Sequence, residues 1–243
     1  MSTPLPVPMR ETAEPATPRD ALTAAAACAV LELRQYTLVP GQRDVLIALF
    51  DREFVETQEA VGMHLIGQFR DLDRPDHFVW IRGFPDMRSR AESLQAFYGG
   101  PVWQAHREAA NATMIDSDNV LLLRPAGANP AFAMPTAPRA AVGTSASPSS
   151  RVVAFIYSLD APVDDAFRAF FDAELTPALA EAGIRPIARL ETEDAENTFP
   201  RLPVRTGEHV FVALSAVPAV VASPLQRLRL EPTRRSAMYF SPA

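Results

Sequence analysis

The chain has 243 residues, of which 48% are hydrophobic and 21% charged, and its formal net charge at pH 7 is −6. This length suits one large domain or two of about 100 residues, with enough apolar side chains for a buried core. The acidic balance argues against a nucleic-acid partner, and no apolar run reaches the roughly 18 residues that a membrane span needs. All 23 Lys/Arg positions are arginine, which excludes lysine Schiff-base chemistry and a lysine-bearing phosphate loop.

The first segment, residues 1–29, is rich in Pro, Ala and Thr and has no apolar periodicity. Such a composition predicts a disordered segment. The apolar stretch Ala21–Val30 follows the acidic residues Glu11, Glu14 and Asp20, whereas a signal peptide begins with basic residues. We therefore expect no export and a cytoplasmic location.

Residues 30–125 are predicted to form the first structured unit. Alternating apolar residues indicate strands, and apolar stripes at helical spacing indicate helices. Gly62 is placed to end the first helix. The predicted elements are strand Val30–Leu38, helix Gln42–Ala60, strand Met63–Asp71, strand His77–Phe84, helix Asp86–Phe97, a further helix opened by Gly99-Gly100-Pro101, and strand Asn119–Arg124.

Residues 126–150 are rich in Ala, Pro, Ser and Gly and are predicted to be a semi-extended linker. Residues 151–243 then follow the plan of the first unit. The predicted elements are strand Val152–Leu159, helix Pro162–Ala182, strand Ile184–Glu191, strand His209–Ala216, a short helix Val220–Leu228, and strand Arg235–Phe240.

An internal repeat supports this plan, because residues 30–70 align without a gap with residues 151–191. Tyr36 then matches Tyr157 and Gly62 matches Gly183, and the alignment resumes after an insertion at 192–206. Each copy has the order of a ferredoxin-like α+β unit. Two tandem units are predicted to cover each other's bare sheet faces and to form an α/β barrel within one chain.

Three stretches resemble one family. The opening strand and turn, Leu31–Gly41, the segment Phe97–Trp103 and the tail Leu228–Ser236 together resemble NIPSNAP-family domains of the tandem bacterial type. The resemblance implies a dimeric α/β-barrel superfamily fold, in agreement with the repeat. It implies little chemistry, because that superfamily includes cofactor-independent monooxygenases, isomerases and haem-binding proteins.

Strand alternation also gives an expected lining for the barrel interior. Small aliphatic residues such as Val79 and Ile81 are expected to face the helices, which leaves aromatic and charged residues facing inward. Several guanidinium groups beside aromatic rings favour a small anionic, partly apolar ligand between the two sheets. The predicted ligand-binding residues are Glu32, Tyr36, Phe78, Trp80, Arg185, Arg189 and Phe211.

His64 is the candidate general base, because histidine titrates near neutral pH, and Arg82 and Arg34 are the candidates to hold a developing anion. A hydrogen-bonded structural histidine is the alternative. Trp103 and His106 share a helical face and are expected to form an interface, with a haem ligand at His106 as the alternative. No histidine pair has metal-ligand spacing, so we expect neither a metal nor a bound cofactor.

Three functions remain open at this point. The chain is a NIPSNAP-type barrel that binds a small ligand, a cofactor-independent monooxygenase or isomerase, or a protein-interaction module without catalysis. Whether it is an enzyme, and whether it is a monomer or a homodimer, is not decided by the sequence. The segment 192–206 is expected to be either a lid over the pocket mouth or an ordinary surface excursion.

Overall fold

The computed structural model describes residues 28–127, 139–144, 151–181, 183–216 and 226–236. The strands within these residues alternate side chains between two faces of one sheet, and the helices cover its outside. The strands are β1 (Val30–Leu38), β2 (His64–Asp71), β3 (His77–Phe84), β4 (Met114–Asp116), β5 (Val120–Pro125), β6 (Val152–Leu159), β7 (Arg185–Thr192), β8 (His209–Ala216) and β9 (Gln226–Pro232).

The helices that follow β1 and β6 are built alike. A π-helical turn interrupts the first long helix of each half, and a positive-φ glycine, Gly62 or Gly183, follows it. The side chain of Asp86 caps α3 by accepting a hydrogen bond from the backbone N–H of Ser89 at 2.6 Å. The helices are α1 (Arg43–Leu49), the π-helical turn Phe50–Phe54, α2 (Val55–Glu59), α3 (Met87–Gly99), α4 (Pro101–Asn111), α5 (Asp165–Phe170), the π-helical turn Phe171–Leu175 and α6 (Thr176–Glu181).

The sheet is a closed antiparallel barrel. In the described part of the chain its strand order is β3-β2-β9-β6-β8-β7-β5-β1, and pairing of β1 with β3 closes the ring of eight strands. The short strand β4 extends the sheet beside the end of β1. The expected α/β barrel within one chain is thereby confirmed.

Two seams between the halves make this closure. Strand β5 of the first half pairs with β7 of the second, with Leu123 opposite Thr192. Strand β2 pairs with β9, with Phe69 opposite Pro232. Because both seams are backbone ladders, the halves share one continuous sheet.

The barrel interior is filled by aliphatic side chains from both halves. Leu33, Ile81, Val212 and Leu230 are among them, and each is fully buried. The interior of an eight-stranded barrel is just wide enough for such side chains to fill it. The expectation that small aliphatic residues face the helices was therefore wrong. The residues of β1, β3 and β8 that were predicted to point inward lie instead on the outer face, which the helices cover. These residues are Glu32, Arg34, Tyr36, Phe78, Trp80, Arg82 and Phe211.

A β-bulge shifts the alternation within β2. The register slips between Leu65 and Gly67, so Leu65 packs under the helices while Phe69 points into the barrel. Uninterrupted alternation would have placed Phe69 on the same outer face as Leu65. The same slip occurs between Pro186 and Ala188 of β7.

The end of the chain departs from the predicted elements. The last described strand is Gln226–Pro232, which overlaps the predicted helix Val220–Leu228, and residues 217–225 lie outside the described residues. Arg234 and Arg235 form a turn, so the predicted strand Arg235–Phe240 does not begin at Arg235, and its residues 237–240 lie outside the described residues. Apolar residues alternate with arginine from Gln226 to Leu230, which is a strand pattern.

In the part of the chain that the structure describes, no helix has the length and apolar character to cross a membrane.

Truncating an interior side chain tests the shared core. Leu33→Ala removes a side chain with 0% exposure and is expected to lower the free energy of unfolding by about 2–5 kcal/mol. Ile115→Ala, at a residue that is 65% exposed, is the matched control and is expected to change it by less than about 0.5 kcal/mol. Chemical denaturation followed by circular dichroism measures both, and equal losses would contradict the interior assignment.

Candidate functional site

The outer face of β1 and β3 carries charged residues in a layer between the sheet and the first-half helices. Glu32 pairs with Arg82 across the two strands, and Arg34 pairs with Trp80, so these four side chains lie on one face. Arg90 reaches the same place from α3. The side chains of Glu32, Arg34, Arg82 and Arg90 are all at most 1% exposed.

Glu32 is the common acceptor of this cluster. Its Oε2 accepts hydrogen bonds from Nη1 of Arg34 at 2.7 Å and from Nε of Arg82 at 2.8 Å. Its Oε1 accepts one from Nε of Arg90 at 2.7 Å. Three guanidinium groups therefore surround one carboxylate. We name these four residues the Glu32 cluster.

The Glu32 cluster is unbalanced in charge. Three guanidinium groups and one carboxylate leave an excess of two positive charges in a place closed to water. Burial alone would raise the pKa of Glu32, but the three arginines outweigh it and hold that pKa far below its usual range. Burial and the neighbouring arginines lower the pKa of Arg90 in spite of its contact with Glu32.

Aromatic residues form a small cavity above the cluster. Arg82 lies 4.9 Å from the ring centre of Trp80, and Arg34 lies 5.5 Å from it. The indole N–H of Trp80 is buried and has no acceptor within the described structure. The cavity has a volume of about 30 Å³ and is lined by Tyr36, Leu46, Phe50, Phe54, Gln58, Trp80, Phe97, Tyr98, Trp103 and Met114.

The insertion at 192–206 crosses from the second half to this site. Nη1 of Arg90 donates to the side-chain oxygen of Asn197 at 2.9 Å and to the hydroxyl of Thr198 at 3.2 Å. The ring of Phe199 stacks on Tyr98 with a centre separation of 6.0 Å, and Phe199 is 6% exposed. We call residues 197–199 the strap, because they hold the end of the charged layer.

The second half has apolar residues where the first half has part of the Glu32 cluster. At the positions that align in sequence with Glu32 and Arg34 stand Val153 and Phe155, and Ala213 aligns with Trp80. These three residues belong to a hydrophobic cluster under α5 and α6. The second half also buries one carboxylate, Glu191, which pairs with Arg168 and Arg124.

The structure does not bring His64 to this site. His64 pairs with Gly83, and its neighbour Leu65 pairs with Arg82, so His64 and Arg82 point to opposite faces of the sheet. The expectation that one pocket contains His64, Arg82 and Arg34 was wrong. Within the described residues no three His, Cys, Asp or Glu side chains come together as a metal site would require.

The other predicted residues have separate locations. Phe78 packs against Phe50 in the first-half layer, while Phe211 packs against Phe171 in the second. Arg189 pairs with Asp172 on the outer face, so its expected inward position was wrong. Arg185 begins β7, and its side chain lies outside the described structure.

Trp103 and His106 lie at the outer edge of the same layer. The ring of Trp103 packs against Tyr98 at 4.9 Å and lines the cavity. His106 Nε2 lies 3.5 Å from a carboxylate oxygen of Glu53, and its ring packs against Phe54. The interface and haem roles stay predictions.

Sequence reasoning missed Arg90, Gln58 and the strap. Arg90 stands four residues before Leu94 and seven before Phe97, the spacing of the buried stripe of α3, and this spacing was the available signal. Gln58 accepts a hydrogen bond from Nη1 of Arg82 at 3.0 Å. No local pattern connects the strap to a helix more than 100 residues earlier.

Comparison with known proteins gives one family match. Residues 31–130 match the family model described as NIPSNAP. Among curated proteins no match is found.

Solved structures give further likenesses. An uncharacterised NIPSNAP domain protein from Burkholderia xenovorans is 19% identical, with 42% of this chain and 98% of that chain covered and a TM-score of 0.39. A NIPSNAP-like domain protein from the same organism is 26% identical, with 42% and 88% covered and a TM-score of 0.38. A proposed monooxygenase from Lactobacillus acidophilus NCFM is 15% identical, with 85% and 96% covered and a TM-score of 0.46.

Removing the shared carboxylate should destabilise the protein strongly. Glu32→Gln leaves three buried guanidinium groups without an anion and is expected to lower the free energy of unfolding by about 3–5 kcal/mol. Arg90→Met keeps two guanidinium groups on Glu32 and is expected to cost less. Urea denaturation of both variants measures the difference, and equal losses would contradict the central role of Glu32.

The same carboxylate predicts a pH dependence of stability. Because the pKa of Glu32 is lower in the folded than in the unfolded protein, its contribution is complete above the ordinary value of 4.5 and is lost as the pH falls below it. The melting temperature of the wild type, measured between pH 7 and pH 3, should therefore decrease once the pH drops below about 4.5. The melting temperature of Glu32→Gln should not show this decrease. A variant whose melting temperature depends on pH as the wild type's does would contradict the prediction.

Proposed function

We propose that residues 31–130, which match the NIPSNAP family model, bind a small organic anion with a flat apolar body. The proposed place is the aromatic cavity above the Glu32 cluster, between helices and sheet, and not the space between the two sheets. One observation carries the proposal: the buried excess of positive charge in the Glu32 cluster.

Charge is the first argument. A buried cation that lacks a counter-ion is destabilising, and a bound anion would supply that counter-ion. The second half has Val153 and Phe155 at the corresponding strand positions, so an apolar alternative was open to the first half. Guanidinium groups also match the planar geometry of a carboxylate or an enolate.

The shape of the site is the second argument. The cavity of about 30 Å³ has room for about one water molecule. Tyr98 and Trp103 are only partly buried, so outward movement of their rings would admit a flat molecule onto Trp80. The unpartnered indole N–H of Trp80 then offers a hydrogen bond to the incoming ligand.

We further infer that the two halves are tandem ferredoxin-like units that arose by duplication. The strand orders β5-β1-β3-β2 and β9-β6-β8-β7 support this, because each is the order 4-1-3-2 of one such unit. The π-helical turns Phe50–Phe54 and Phe171–Leu175 stand at corresponding positions of the repeat. One copy then specialised in binding while the other kept an apolar layer.

Binding is favoured over the two other functions left open by the sequence. An oxygenase or isomerase with His64 as base would need that residue on the same face as Arg82, and it lies on the opposite face. Trp103, the residue expected at an interaction surface, lines the cavity and packs against Phe54, Phe97 and Tyr98, which favours binding within the cavity.

Tryptophan fluorescence offers a direct test, because the chain has two tryptophans and both line the cavity. Titration with benzoate is expected to change the emission in a saturable way, while benzyl alcohol, which is neutral, is not. Arg82→Met removes one buried positive charge beside Trp80 and should weaken benzoate binding by at least about tenfold.

Arg189→Met is the matched control, since Arg189 occupies the helix-covered layer of the second half above Phe171. It should leave benzoate binding unchanged. Arg34→Met gives a second variant in case Arg82→Met does not fold. A benzoate response that is absent, or equal in all variants, would contradict the proposal.

A further inference from the structure

A second, larger cleft lies on the other side of the first-half helices. It has a volume of about 260 Å³ and is formed by three segments that are far apart in sequence: the first helix and its π-helical turn, the loop 142–144, and the turn at 234–235. Asp51, Arg52, Arg234 and Thr144 contribute its polar groups.

Arg139 and Arg235 hold these segments together. Arg139 donates to the backbone oxygen of Arg235 and pairs with Glu59 of α2. Arg235 pairs with Glu56 and donates to the backbone oxygens of Asp51 and Ala140. The donors of Arg235 are therefore already engaged. Arg52 pairs with Glu53 through its Nε, and its Nη groups have no described contact. The guanidinium group of Arg234 likewise has no contact within the described residues.

The carboxyl group of Asp51 is the unusual feature of this cleft. Its Oδ1 atom is buried and has no hydrogen-bond partner within the described structure. The corresponding residue of the second half, Asp172, forms an ion pair with Arg189. At the position of Arg189 the first half has Gln68, which is 0% exposed and whose amide oxygen and nitrogen also lack partners.

Buried polar atoms without partners are rare in proteins and call for a specific explanation. Here three such atoms occur on Asp51 and Gln68, where the other half has a complete ion pair. We propose that this cleft is a second ligand site, which takes a small carboxylate ion on the guanidinium groups of Arg52 and Arg234 and on the carboxyl group of Asp51.

The protonation of Asp51 makes this binding pH-dependent. Burial raises the pKa of Asp51 to about 6, in spite of Arg235, Arg70 and Arg139 nearby, and Glu56 adds to the rise. Below that pH the neutral carboxyl group donates a hydrogen bond to the bound carboxylate. Above it the negative charge of Asp51 repels the ligand, so affinity falls as the pH rises through about 6.

Trifluoroacetate is the probe for this site, because it stays ionised throughout the pH range and its ¹⁹F signal reports binding. We expect a saturable shift of that signal with the full chain, with an affinity about 25-fold higher at pH 5.5 than at pH 7.5, since only the protonated fraction of Asp51 is competent. Asp51→Asn should bind equally at both pH values, because its side chain is always neutral.

Arg234→Met, at an exposed residue that no fold contact requires, should weaken trifluoroacetate binding at both pH values. Glu92→Gln, which alters an exposed carboxyl group on α3, is the control and should keep the wild-type pH profile. The proposal is overturned if no saturable shift occurs, or if Asp51→Asn and Arg234→Met both bind as the wild type does.

This site stands independently of the aromatic cavity. Arg34→Met is expected to weaken benzoate binding, measured by tryptophan fluorescence, and to leave the trifluoroacetate profile unchanged. Loss of the benzoate response alone would contradict the first site, and loss of the trifluoroacetate response alone would contradict the second.

Discussion

Backbone pairing between the two halves is the interaction on which the rest of this protein depends. The β5–β7 and β2–β9 seams close the barrel, and the aliphatic side chains inside it come from both halves. This closed interior is filled mostly by aliphatic side chains. The charged side chains of the Glu32 cluster lie instead in the outer layer, where helices cover the sheet.

The two outer layers differ in their buried charges. The second-half layer contains a hydrophobic cluster around Phe171 and Phe211. The first-half layer contains the Glu32 cluster, whose four side chains are almost completely removed from water. Burying such a cluster opposes folding unless its hydrogen bonds are nearly complete, and Glu32 receives three of them. The shared interior and the apolar layer supply the stability that this arrangement needs.

Local sequence patterns predicted where the strands begin and end, but not which face of each strand points into the barrel. The bounds of β1, β3, β6 and β8 follow from the alternation of side chains together with the turn residues that flank each strand. Both faces of these strands are apolar enough to be buried, however, so hydrophobicity could not distinguish barrel interior from helix layer. The residues of the Glu32 cluster on β1 and β3 were identified, but on the wrong side, while Arg90 and the strap depend on tertiary contacts that no local pattern contains.

The strap joins the second half of the chain to the Glu32 cluster of the first. Residues 197–199 belong to the second half, yet Asn197 and Thr198 accept hydrogen bonds from Arg90 in the first. A first half that paired with itself would have no such loop beside Arg90. Because both halves lie in one chain, each charged layer has one strap to itself.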